Sequence, residues 1–92
     1  MYYVYILRCA NRSFYVGSAQ NLEARLKDHN DGRGATYTFK HRPFSLVYSE
    51  TFGSEAEAVT RERQLKRWTR AKKETLIVGN LERLKHLSRR RS

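Results

Sequence analysis

Five side chains in this chain of 92 residues stand where chemistry and spacing could matter: one inward acid, an arginine and a histidine a helical turn apart, and two tyrosines in apolar strands. At roughly 100° per residue, the helix-surface neighbours of Glu62 are Ala58, Val59, Leu65 and Thr69, the least polar stripe of its segment. Arg61, Arg63, Lys66 and Arg67 spread around it. An acid on the inward face of a basic helix needs a partner, and a divalent cation and Arg25 are the two candidates. Spacing alone favours the plain salt bridge. Arg25 and His29 lie four apart and share a helix face, beside the Leu22/Leu26 stripe that would meet a sheet. From that edge a guanidinium could clamp a phosphate, and an imidazole could relay a proton near neutral pH. The same spacing also describes an ordinary exposed helix face. Tyr5 shares a strand face with Tyr3 and Leu7, and Tyr15 shares one with Gly17. Whether those faces coincide depends on the turn between the strands and on any bulge. The chain has six tyrosines, so composition singles out neither.

Several common designs are missing: no H-E-x-x-H, no P-loop, no G-x-G-x-x-G and no plausible Ser/His/Asp set. With Glu62 the single acid expected to point inward, a two-metal carboxylate nuclease is disfavoured. Cys9 has no partner for a disulfide and no cysteine cluster for zinc, and its neighbours suit a small buried thiol.

Elements must hold these groups. Tyr2 to Arg8 is β-branched and aromatic and predicts a strand. Ala10 to Ser13 is a turn, and Phe14 to Gly17 returns as the second strand of a hairpin. Asn21 is placed to cap a helix running to about Asn30, with Gly32 placed to end it. A basic loop follows, and after Pro43 the run Phe44 to Tyr48 predicts a third strand. Ser54 and Glu57 form an S-x-x-E capping box that opens a helix to about Trp68. Thr69 is expected to cap another through Ile77, closed near Gly79, and Asn80 a last short one carrying Leu81, Leu84 and Leu87. The order β-β-α-β-α-α-α predicts an α+β fold, a three-stranded, mostly antiparallel sheet flanked by helices. Residues 1–88 read as one domain and 89–92 as a basic tail with nothing to pack against. Tyr2 to Leu7 is too short to span a bilayer and has no basic segment before it, so no membrane is expected and the cytoplasm is the default location.

The formal net charge is +10, and it is uneven. From Thr60 to Ser92 twelve Lys/Arg face three Glu, a net of +9, against +1 for Met1 to Val59. Such asymmetry favours a polyanionic partner, because neutralising phosphates releases counterions. The candidate backbone-binding cations are Arg33 and Lys40 in the loop and Arg61, Lys66, Arg67, Arg70, Lys72 and Lys73 on the helices.

In order along the chain stand Tyr3-Val4-Tyr5-Ile6-Leu7, then Tyr15-Val16-Gly17, then Asn21-Leu22-x-x-Arg25-Leu26-x-x-His29-Asn30. Gly32-Arg33-Gly34-Ala35-x-Tyr37-Thr38, Arg42-Pro43 and Glu57-Ala58-x-x-Arg61-Glu62-x-x-Leu65-Lys66 follow. Each motif is loose alone, but the ordered set resembles the GIY-YIG nuclease family, and within it the small stand-alone bacterial members (UPF0213-like). Val4 takes the leading position of the first half-motif and Val16 replaces the Ile of the second, both conservative for a strand. For the late Asn that helps the metal site in some members, Asn80 is the candidate.

The resemblance implies a metal-dependent DNA endonuclease leaving a 5′ phosphate and a 3′ hydroxyl. Tyr5 would act as general base or orient the attacking water, and Tyr15 would hydrogen-bond the nucleophile or phosphate. Arg25 would stabilise charge on the phosphoryl oxygens, and His29 would pass the proton away from Tyr5. Glu62 would bind a single Mg²⁺ or Mn²⁺ that steadies the leaving oxygen. One carboxylate suffices for an ion that keeps several waters. A tyrosine ionises near pH 10, so a base role calls for nearby positive charge, from Arg25 or the metal.

Two other classes compete. A non-catalytic binding module would hold DNA or RNA through the basic C-terminal helices, with strong salt dependence and no metal requirement. An interaction protein would expose an apolar patch, for which Trp68 is the anchor. For an endonuclease, Tyr37, Phe39 and Tyr48 could stack on unpaired bases, favouring single-stranded or branched DNA, although Phe39 and Tyr48 fit a core equally well.

Overall fold

The computed structural model describes residues 1–31 and 43–89, with 81–89 as backbone only. β1 (Tyr2–Arg8) and β2 (Phe14–Ala19) form an antiparallel hairpin. In its turn the Asn11 side chain accepts from the Ser13 amide (3.1 Å) and hydroxyl (2.7 Å), while Arg12 takes the left-handed conformation at φ 69°. β3 (Ser45–Phe52) pairs antiparallel along the other side of β1, giving the order β2-β1-β3. Ile6 pairs with Tyr48 but Leu7 with Leu46, so Val47 is the extra residue of a bulge.

α1 (Leu22–Asn30) opens at Asn21, whose side chain accepts from the Ala24 amide at 3.0 Å. α2 (Glu55–Arg67) opens at Ser54, whose hydroxyl accepts from the Glu57 amide and donates to the Glu57 carboxylate. α3 (Arg70–Arg89) follows Thr69, which accepts from the Lys72 amide. Helices cover both faces of the sheet, so Val4, Tyr5, Ile6 and Leu7 of the central strand are all buried. Val4, Ile6, Val16 and Tyr48 pack with Ala58, Leu65 and Ile77 beneath α2 and α3. Tyr5, Leu7, Cys9 and Phe44 pack with Leu22 and Leu26 on the α1 side. Cys9 is thus the buried thiol its surroundings predicted.

Three boundaries differ from expectation. β2 continues to Ala19 and β3 to Phe52. The two expected C-terminal helices are one: Gly79 and Asn80 lie inside the 20 residues of α3. A glycine costs a helix interior only about 1 kcal/mol, and without a proline or a left-handed residue to follow it the helix continues. Among the described residues the order is therefore β-β-α-β-α-α. Gly32, expected to end α1, lies outside them; the Asp31 amide closes that helix on Lys27 O at 2.8 Å. No described helix is long and apolar enough to cross a membrane.

Candidate active site

The hairpin register settles which tyrosines meet. Tyr5 pairs with Gly17 and Leu7 with Tyr15, with no bulge between, so Tyr5, Tyr15 and Gly17 share the α1 face. A Cβ at Gly17 would stand 2.5 Å from Tyr5 Oη, 2.7 Å from its Cζ and 3.2 Å from Tyr15 Cε1. The missing side chain is what lets the Tyr5 phenol lie across β2. α1 then brings His29 to it, with Nε2 3.0 Å from Tyr5 Oη. The Tyr15 ring meets the imidazole edge-on at 5.1 Å, and Phe44 sits 5.9 Å away. Asn30 fixes this end of α1: its Oδ1 accepts from the Phe44 amide at 2.7 Å and its Nδ2 donates to the Phe44 carbonyl at 3.4 Å.

Tyr5 and His29 are each 1% exposed, whereas Tyr15 is half-buried and Arg25 is exposed. The two outer residues therefore form the accessible layer of the cluster. Burial pushes Tyr5 well above the ordinary tyrosine range; Tyr15 and Glu62 add to this and Arg25 opposes it. The expectation that nearby positive charge would lower Tyr5 is not met by Arg25 alone, because removing a phenolate from water outweighs one exposed guanidinium. Burial, and then Arg25, holds His29 below its usual range. At neutral pH the pair is a neutral phenol beside a neutral imidazole. Among the described residues His29 Nδ1 has no hydrogen-bond partner.

Glu62 approaches from the α2 face. Ser18 Oγ donates to its Oε1 at 2.5 Å, and Lys66 Nζ contacts Oε2 at 2.8 Å. The salt-bridge reading of its spacing is met, but by Lys66 and not by Arg25. One helical turn on the same face brings Lys66 into reach, while Arg25 belongs to the layer across the sheet. Burial opposes ionisation of Glu62, yet hydrogen bonds from Lys66 and Ser18 with the charges of Lys66 and Arg63 hold its carboxyl below the usual range. No group of three or more His, Cys, Asp or Glu gathers among the described residues. An ionised, half-buried carboxylate whose ion-pair partner is an exposed lysine fits a single Mg²⁺-type ion that keeps its waters, not an all-protein cage.

Lys66 and Lys73 line a cleft of about 290 Å³ with Phe14, Tyr15 and Val16, beside the cluster. Other predicted nucleic-acid cations have structural ties. Arg61 forms a two-pronged pair with Glu50, which also accepts from the Tyr48 hydroxyl. Arg70 donates to the Arg12 carbonyl at 2.6 Å, pairs with Glu74 and lies over the Phe14 ring. Lys72 and Arg61 flank the Trp68 ring, which packs against the core, so Trp68 is no exposed anchor. Arg67 is exposed. Tyr48 is core; Arg33, Lys40, Tyr37 and Phe39 lie outside the described residues. Sequence reading assigned no role to Ser18 or Asn30. Ser18 lies past Gly17, where local pattern ends the second strand two residues short of its observed end at Ala19.

The model of the GIY-YIG catalytic domain matches residues 1–75, and the chain belongs to this nuclease family. It is 46% identical over 76 residues to UPF0213 protein SH2523 of Staphylococcus haemolyticus, covering 83% of this chain and 93% of that protein. A UPF0213 protein of Bacillus pumilus is 45% identical over 76 residues, with 83% and 78% covered. The fold is similar to the solution NMR structure of the UPF0213 protein BH0048 from Bacillus halodurans, with TM-score 0.55, 42% identity and coverage of 85% and 84%. It is also similar to that of EF2693 from E. faecalis, with TM-score 0.58, 35% identity and coverage of 87% and 86%. GIY-YIG nucleases generally use divalent metal ions.

Proposed function

We propose that this protein is a divalent-metal-dependent DNA endonuclease with weak sequence specificity that leaves 5′-phosphate and 3′-hydroxyl ends. The observation that carries the reading is the buried 3.0 Å contact between Tyr5 Oη and His29 Nε2, set behind Tyr15 and within the field of Arg25.

A neutral phenol against a neutral imidazole suits a relay better than a resident base. In the Nδ1–H tautomer His29 accepts from Tyr5 through Nε2. As water attacks phosphorus, its proton passes to the Tyr5 oxygen while the Tyr5 proton moves to Nε2, so free phenolate never accumulates. The raised pKa of Tyr5 is then no obstacle. The P–O3′ bond breaks and the departing oxygen collects a proton from solvent. Arg25, the exposed member, receives the phosphate, and drawing it away from Tyr5 opens the hydroxyl to the reacting water. Tyr15 donates to the phosphate from the same face. Imidazolium beside Arg25 is disfavoured, so His29 hands its proton back to Tyr5 as Tyr5 releases the one taken from water to solvent, and the relay resets. Glu62 would hold Mg²⁺ or Mn²⁺, which when bound supplies positive charge to the phosphoryl oxygens and the leaving 3′ oxygen. Tyr15 beside Lys66 and Lys73 suits a strand whose bases are unpaired, which favours single-stranded or branched DNA as substrate.

The test is incubation with labelled single-stranded DNA, duplex DNA and RNA in Mg²⁺, Mn²⁺ or EDTA, beside Glu62→Gln. Cleavage of DNA is expected with either metal, is lost in EDTA, and falls by at least about 10²-fold in Glu62→Gln. Tight, salt-sensitive binding with no cleavage on any substrate would replace this reading with that of a binding module.

A further inference from the structure

Both oxygens of the Glu62 carboxylate are occupied, and its two partners are unlike. Ser18 belongs to β2 and is half-buried in the sheet. Lys66 reaches Oε2 at 2.8 Å from a side chain 53% exposed, against 19% for Glu62 itself. The lysine can leave without disturbing the sheet, since its four-carbon stem rotates in solvent. The same side chain lines the cleft formed with Phe14, Tyr15, Val16 and Lys73. Its ammonium therefore has two anionic stations available: the carboxylate, and a phosphate lying in the cleft.

We infer that Lys66 is the resident cation of Glu62, blocking a divalent ion until a nucleic-acid phosphate draws the ammonium into the adjoining cleft. The inference rests on the reading above that Glu62 takes the metal and that the protein binds nucleic acid. An ammonium and a dication on one carboxylate repel each other, so metal entry and lysine departure are coupled. A surface pair one helical turn apart is weak enough for a phosphate to compete with it. Because the coupling is reciprocal, strand and metal each favour binding of the other, and the free protein does not hold a tightly bound ion. Lys66 is thus a positioning residue for the metal site. That role differs from general backbone attraction, which Lys73 can supply alone.

The decisive measurement is a Mn²⁺ titration of the full chain without nucleic acid, read as paramagnetic broadening of the Ser18 and Glu62 amide signals by NMR. Lys66→Met, which keeps the length and removes the charge, is expected to bind Mn²⁺ about tenfold more tightly than the wild type, and Lys66→Arg to stay near it. In EDTA, Lys66→Met is expected to bind a labelled single-stranded oligonucleotide severalfold more weakly, with a salt slope smaller by about 0.7. This pairing of opposite signs is the signature, since a plain surface lysine would leave the metal affinity alone. Unchanged or weaker Mn²⁺ binding by Lys66→Met overturns the proposal, and unchanged oligonucleotide binding removes its second station. Glu62→Gln separates the failures: if it broadens like the wild type, the metal does not sit on this carboxylate, and the proposal falls with the reading beneath it.

Discussion

His29 carries the most information for its size. Its folded pKa lies below the ordinary 6.5, so the unfolded chain takes up a proton first as the pH drops. Stability is therefore whole above about pH 6.5 and is lost as the pH falls from there through the depressed folded value. Glu62 and Glu50, both held below 4.5, add a second loss of the same sign at lower pH. Melting curves by circular dichroism across this range should show both steps, and His29→Gln should remove the upper one. A wild-type melting temperature that is flat from pH 7 to 5 would mean that His29 is not buried neutral. On the same relay, Tyr5→Phe keeps the ring packing and removes the hydroxyl. It should lower cleavage about 10²- to 10⁴-fold while the protein remains folded.

The elements place these side chains through close backbone approach, and two glycines show opposite cases. At Gly17 an added methyl meets the Tyr5 phenol at 2.5 Å, and Tyr5 is too buried to move aside. Gly17→Ala should cost about 1–3 kcal/mol in denaturant unfolding, and cleavage should fall further than that loss explains. At Gly79 a Cβ meets nothing within 4 Å and the backbone is helical. Gly79→Ala should therefore stabilise the protein, by about 0.5–1 kcal/mol. A neutral or destabilising result would show that the residue marks a helix end after all. Asn30 works at this level too, since its amide pairs with both backbone groups of Phe44 and so holds His29 over Tyr5.

Across the molecule, charge divides into cations that hold the fold and cations available to a ligand. Residues 60–92 carry a net +9, yet Arg61 and Arg70 are spent on Glu50, Glu74 and the hairpin turn. Lys73 faces the cleft beside Tyr15 instead. Arg61→Met leaves the half-buried Glu50 without its counter-charge, with the Tyr48 hydroxyl still donating to it, so it should destabilise the fold by about 1–3 kcal/mol and leave the salt slope of single-strand binding nearly unchanged. Lys73→Met should do the reverse, with little change in stability and a slope smaller by about 0.7. Unfolding curves and a binding series over salt concentration distinguish the two. Equal slope losses in both variants would mean that the ion pairs open on binding.

Much of this was legible along the chain because local rules govern it. Asn21 and Ser54 cap the helices they were expected to cap, the first strand spans Tyr2–Arg8 as read, and the ordered motifs placed the chain in its family. The extra strand lengths and the continuous α3 were not legible, since pairing along β1 extends the strands and a lone glycine such as Gly79 is too weak a stop to end a helix. Nor was the assembly of the cluster. Tyr5 and His29 are 24 residues apart and Ser18 and Glu62 are 44 apart. Their meetings depend on hairpin register and on which helix covers which face, and a one-residue slip would send every strand side chain to the opposite layer. Residue identity and local periodicity settle which groups are available and on which element each rides. Whether Glu62 faces Arg25 or Lys66, and whether Arg25 can offset the burial of Tyr5, depends on distances and desolvation that exist only once the layers have packed.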